Sequence, residues 1–198
     1  MAATEGAQRE ISQVLEADGF VRIRRSSAWM RQEAELRHLW KFETRSGRVR
    51  VQWGVLSEVA LPKLWLNPPA DAAERVEYSA MAGWLANMPG EPRPLGARGV
   101  DAGLAEQASA GTAWLCRFSR RADLVDYLLE VDDAKDRRGF IIPANLPLKL
   151  LTCAFLLDAD DSPDAGALAE RALEHLGQQR DPLVRHRIDH AMHIAKTT

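Results

Sequence analysis

Cysteine is scarce in this chain of 198 residues: there are two, Cys116 and Cys153, far apart in sequence. That count excludes a small scaffold stapled by disulfides. Cys153 lies in the apolar stretch LLTCAFLL, where a thiol behaves as a small buried hydrophobe. No apolar run approaches the roughly 20 residues needed to span a bilayer. The N-terminal stretch MAATEGAQREISQVLEADGF holds no basic leader, apolar core or cleavage signal, so a cytoplasmic protein is expected. The compact motifs of familiar chemistries are missing too. There is no Gly-rich phosphate loop, no G-x-S-x-G, no H-E-x-x-H and no dinucleotide fingerprint. Nothing calls for a cofactor, and a Ser/His/Asp triad is not nominated by any pattern.

What is present is the make-up of an ordinary globular chain, with 46% hydrophobic and 27% charged residues. A chain of this length buries roughly 70% of its unfolded surface, which is enough for a sizeable core. A single domain over 1–198 is expected, with a sheet-containing part over about 1–117 and a helical part over about 118–198. Charge is unevenly spread. Residues 20–52 carry nine Lys and Arg against Glu33, Glu35 and Glu43, although the whole chain has a net charge of −2. One segment is therefore basic on an otherwise acidic molecule.

Hydrophobic spacing gives the elements. Ala7, Ile11, Val14 and Leu15 recur at helical intervals and predict a helix over 4–18, with Thr4 at its start and Gly19 placed to end it. The period then changes to two. Val21 and Ile23 alternate with Arg22 and Arg24; Leu36, His38, Trp40 and Phe42 share one face; Val49, Val51, Trp53 and Val55 oppose Arg48, Arg50, Gln52 and Gly54. Such alternation predicts half-buried antiparallel strands, with Ser46-Gly47 as a tight turn and a further short strand at 28–32. Six prolines loosen the pattern between 61 and 111, where a helix is read over 71–88 and an exposed loop over 89–99. Residues 113–117 read as a short strand and 123–131 as a helix. The last third reads as three helices: an apolar one over 146–157, one started by Ser162-Pro163-Asp164, and one over 181–195 started by Asp181-Pro182. The fold class is α+β: an N-terminal helix on an antiparallel sheet of about four strands, followed by a mainly helical C-terminal half.

The N-terminal stretch resembles an uncharacterised bacterial domain-of-unknown-function family. The likeness is carried by the helix, the G-F-x-R of Gly19, Phe20, Val21 and Arg22, the aromatic strand near Trp29, and the V-x-W-G-V of 51–55, and it covers about residues 10–56. It implies a helix leading into a four-stranded meander. The proline-rich 89–99 segment departs from the family pattern. The family brings no catalytic residues with it. By analogy, small bacterial α+β proteins of this sort serve as immunity or accessory proteins.

Three groups of residues invite a chemical reading. His186, His190 and His193 fall on one face of the last predicted helix, at spacings that allow neutral imidazoles to ligate zinc and so support a metal-assisted hydrolase. The helical wheel sets that face opposite Val184, Ile188, Ala191 and Ala195, so the simpler reading is a solvated face, with no metal. Residues 158–164 begin like a calcium loop but place Pro163 and Ala169 where glycine and glutamate are required. Asp132, Asp133, Asp136, Arg137 and Arg138 read as a solvated charge run. The last group is the basic strand face: Arg22, Arg24, Arg48 and Arg50, with Arg37 and Lys41 beside them and Trp29 for stacking if it lies there. Guanidinium groups on a sheet can bind a partner's carboxylates or a phosphate backbone. The plain alternative pairs them with Glu33, Glu35 and Glu43. The reading preferred here is a non-enzymatic protein-binding module with a partner protein. Nucleic-acid binding on the arginine face is the weaker alternative, since the isoelectric point is near 6.2.

Overall fold

The computed structural model describes residues 2–24, 26–45, 47–67, 86–89, 93–94, 103–130, 146–176 and 181–197. Helix α1 spans Ala2–Ala17, with Ile11 and Leu15 buried on its inner side. Gly19, at φ +81°, ends it in the left-handed region that glycine enters without penalty. The chain then enters an antiparallel meander of β1 (Val21–Arg22), β2 (Ala28–Glu33), β3 (Leu36–Arg45) and β4 (Arg48–Leu56). The N-terminal helix, four-stranded antiparallel sheet and helical remainder are those the sequence predicts. Across the β3–β4 connection Arg45 lies opposite Arg48, and Gly47 has φ +69°.

The sheet extends further than expected. Ala86–Pro89 forms β5 and Arg93–Pro94 forms β6, both paired with β4. The C-terminal end of the helix read over 71–88 is therefore strand, and so is part of the loop read over 89–99; the remainder of both segments lies outside the described residues. The extra strands satisfy the outer hydrogen-bonding edge of β4, which would otherwise stand open to pairing with other chains.

One row of side chains organises the core. The register aligns Arg22 with Trp29, Trp29 with Trp40, and Trp40 with Trp53, and residues directly opposite on antiparallel strands share a face. Three indoles thus lie side by side, Trp40 and Trp53 with ring centroids 4.9 Å apart. Helix α3 (Gly103–Leu115) packs on α1 and β4, with Leu104, Ala108, Thr112 and Leu115 buried and Gly111 against the indoles. Its closest approach is at Gly111, where an added Cβ would stand 2.5 Å from Trp40 and 2.7 Å from Trp53. The strand read over 113–117 is in fact the end of this helix and the turn after it. Alanine and glycine give α3 little contrast in hydropathy, and large aromatics opposite require just such small residues.

The helical half follows. A single turn, α2 (Leu61–Leu64), leads out of the sheet; α4 (Arg121–Glu130), α5 (Leu146–Asp158), α6 (Asp164–Leu176) and α7 (Pro182–Thr197) complete the chain. Helix α5 is buried from Lys149 through Leu156, as its apolar composition demands. The Asp181 carboxylate accepts from the amides of Leu183 and Val184 at 2.8 and 3.2 Å, an N-cap at the position read from sequence. The charge run at 132–138 lies outside the described residues.

Candidate functional site

The four arginines read as one face occupy two. Arg48 and Arg50 project from β4 on the side opposite its buried Val49, Val51 and Trp53, and both are exposed. Arg22 alternates the other way. Its register with Trp29 places it at the end of the indole row, with its guanidinium 5.8 Å from the Trp29 ring centroid. The cause is that Val21 and Ile23 share the Arg48 side of the sheet; Ile23 is covered there, while Val21, on the edge strand, is 70% exposed. Arg24 is exposed in the turn after β1. Trp29 is 0% exposed, so it supplies no stacking surface to a ligand. Its ring is instead a shelf for Arg22.

The acids expected to neutralise these arginines are occupied elsewhere. Glu33 pairs with Arg31 at 3.2 Å, and Glu35 accepts the Arg121 amide at 2.9 Å. Glu43 lies 3.5 Å from Lys41, which is largely buried, and Glu58 lies 2.9 Å from Arg37. Lys41 and Arg37 thus belong to the sheet's internal pairing. Among the described residues, Arg22, Arg24, Arg48 and Arg50 have no ion pair.

Where α1, β2, β3 and the end of α3 meet, a polar network runs from the surface to the buried His38. Arg31 donates to the Asp18 carbonyl at 3.0 Å, to His38 Nδ1 at 3.1 Å and to the exposed Cys116 sulfur at 3.4 Å. His38 Nε2 donates to the Phe118 carbonyl at 2.7 Å. A guanidinium only donates and a carbonyl only accepts, so the ring is neutral with its proton on Nε2. Burial lowers the His38 pKa; the Phe118 carbonyl opposes that, and the Arg31 charge adds to it. This is a bonded structural histidine on the apolar face predicted for it.

Of the C-terminal histidines read as a solvated face, His193 is exposed as expected, whereas His186 and His190 are half-buried. Helix α7 turns Ala191 and Ile194 into the core and sets His186 and His190 against α2 and α5. His186 Nε2 donates to the Pro62 carbonyl at 2.8 Å, and Arg187 Nε donates to the Leu64 carbonyl at 2.7 Å while stacking 4.6 Å over Trp65. The last carbonyls of the single-turn α2 need donors, and that need outweighs the mild apolar stripe of Val184 and Ile188. The His186 and His190 rings meet edge to face at 4.7 Å, while His193 is exposed. Among the described residues no group of three or more His, Cys, Asp or Glu side chains could hold a metal ion. Asp158 and Asp160, from the rejected calcium loop, pair with Lys63 and Arg121.

One concavity was not anticipated. A cleft of about 440 Å³ opens between α1 and β1, lined by Gln8, Arg9, Ser12, Gln13, Glu16 and Arg22. The five α1 residues fall at helical spacing beside the apolar stripe of Ile11 and Leu15. That polar stripe was visible in the sequence; what it faces was not, because that depends on the register placing Arg22 on the helix side of the sheet.

No protein-family model, curated protein or solved structure matches the chain. Among the described residues, no helix is long and apolar enough to cross a membrane.

Proposed function

We propose that this protein is a non-enzymatic, cytoplasmic binding module, an immunity or regulatory protein whose target is another protein. The observation that carries this reading is the exposed, unpaired state of Arg48 and Arg50 on one strand face, where Glu43, opposite Arg50 in the register, is engaged by Lys41. Arginine dominates protein interfaces out of proportion to its frequency, because its planar fork grips carboxylates in two parallel bonds. Two such groups at alternate positions of one strand are presented on the same side at a spacing fixed by the backbone. Their charge speeds encounter with an acidic partner and rejects a basic one.

The test is affinity capture from the native host at low salt, with the product of the adjacent gene co-expressed, comparing the wild-type chain with R48E/R50E. A stoichiometric partner is expected on the wild type, lost on the variant and lost at about 0.5 M salt, where exposed charges are screened within a few ångströms. Recovery of the bare chain in every case overturns the reading, as does a partner indifferent to the charge reversal. Circular dichroism of the variant separates lost binding from lost folding.

A further inference from the structure

We propose that the cleft between α1 and β1 is a carboxylate-binding site that receives an extended acidic segment of the partner protein. The proposal rests on the binding-module reading and adds to it a second, chemically defined contact.

The cleft is built for anions. Arg9 and Arg22 enter from different elements, both are exposed, and neither has an ion pair among the described residues. Gln8, Ser12 and Gln13 add neutral donors along the same helix face. Arg22 is also held in place, since its guanidinium lies over the ring of a fully buried tryptophan. A pre-positioned guanidinium loses less side-chain freedom on binding than a free one.

The strand edge points to an extended chain. β1 is the terminal strand of the sheet. The Ile23 amide donates to the Ala28 carbonyl at 2.9 Å, so the odd residues of this strand bond inward to β2. By alternation the Arg22 amide and carbonyl face away from β2, on the open edge. An added peptide can bond there while its acidic side chains reach Arg22 and Arg9, and exposed Val21 offers an apolar contact on the other side. Glu16 in the lining sets the charge limit. It repels a compact dianion such as phosphate more than it repels single carboxylates spaced along a chain.

The experiment is fluorescence anisotropy with a labelled peptide of alternating glutamate and valine, against a lysine–valine control and with inorganic phosphate as competitor. The acidic peptide is expected to bind at low salt. R22Q and R9Q should each weaken it by about tenfold, the loss of one charge-assisted contact. R171Q, on the exposed side of α6, should leave it unchanged. R9Q lies on a solvated helix face, so its result does not depend on the packing around Trp29. No binding of the acidic peptide, binding indifferent to R9Q and R22Q, or equally tight binding of phosphate overturns the proposal. These outcomes are independent of partner capture by Arg48 and Arg50, so failure of the cleft and failure of the binding-module reading are told apart.

Discussion

Gly111 shows how a single residue can fix a layer spacing. Its missing side chain is the space that the edges of Trp40 and Trp53 occupy. In an isolated helix, alanine is better than glycine by up to about 1 kcal/mol. Here the added methyl would meet aromatic carbons at 2.5 to 2.7 Å, distances real Cβ atoms do not show. The rings are pinned between α3 and the sheet, so the helix must move, and overpacking of this kind destabilises by about 1–3 kcal/mol. Gly111→Ala is therefore expected to lower the thermal midpoint by several degrees, read by circular dichroism. A rise would mean that the helix sits further from the indoles than these distances require.

Elements here are positioned as much by polar need as by apolar stripes. Helix α7 docks through His186, Arg187 and His190, and its stability should follow the charge of the His190 ring. Burial lowers the His190 pKa; the neighbouring His186 and Lys63 charges add to the effect, and Asp189 opposes it. His38 is lowered as well, first of all by burial. Both unfolded rings titrate near 6.5. Above that pH neither state binds the protons and the neutral rings contribute fully. Below it the unfolded chain takes up protons that the folded chain refuses, so stability falls as pH drops from about 7 towards 5. Asp123 does not confuse this window. Bonds from the Arg120 side chain and amide hold its carboxyl at about 2, so its contribution is lost as pH falls from the ordinary carboxylate range towards 2, below this window. Urea midpoints measured across that range should decline for the wild type and decline less for His190→Gln. A flat wild-type profile would show that neither ring is masked. The same helix marks the limit of legibility. Its limits and its Asp181 cap are local, and were readable; so were the alternation of β3 and β4 and the stop at Gly19. Its rotation was not, because it answers carbonyls of Pro62 and Leu64 that lie more than a hundred residues away in sequence. Arg22 went to the unexpected face for a related reason: alternation tells which residues share a side, and only register with Trp29 tells which side is covered. Helix α3 was missed because small residues packed on indoles carry no hydrophobic period.

The whole molecule is stitched across the divide between its sheet and its helices. Buried residues from Ile11 in α1 to Ile194 in α7 form one connected cluster. Charged and polar links follow the same route: Lys63 to Asp158 at 2.5 Å, Glu35 to the Arg121 amide, Arg121 to Asp160, and Arg187 to Trp65 and the Leu64 carbonyl. A chain joined in this way should lose sheet and helices in one cooperative step. Its thiols provide the means to see this. Cys116 is exposed, whereas Cys153 is 0% exposed in α5, and burial pushes its thiol up to about 12. A thiol in that state is inert until its surroundings open. In a Cys116→Ser variant with Trp65, Trp84 and Trp114 replaced by Phe, Cys153 labelling therefore reports the helical half, while emission from the row of Trp29, Trp40 and Trp53 reports the sheet. With urea as the variable the two midpoints are expected to coincide. Labelling of Cys153 at clearly lower urea than the tryptophan transition would show that the helices open first, and that the links through α2 do not bind the two halves into one unit.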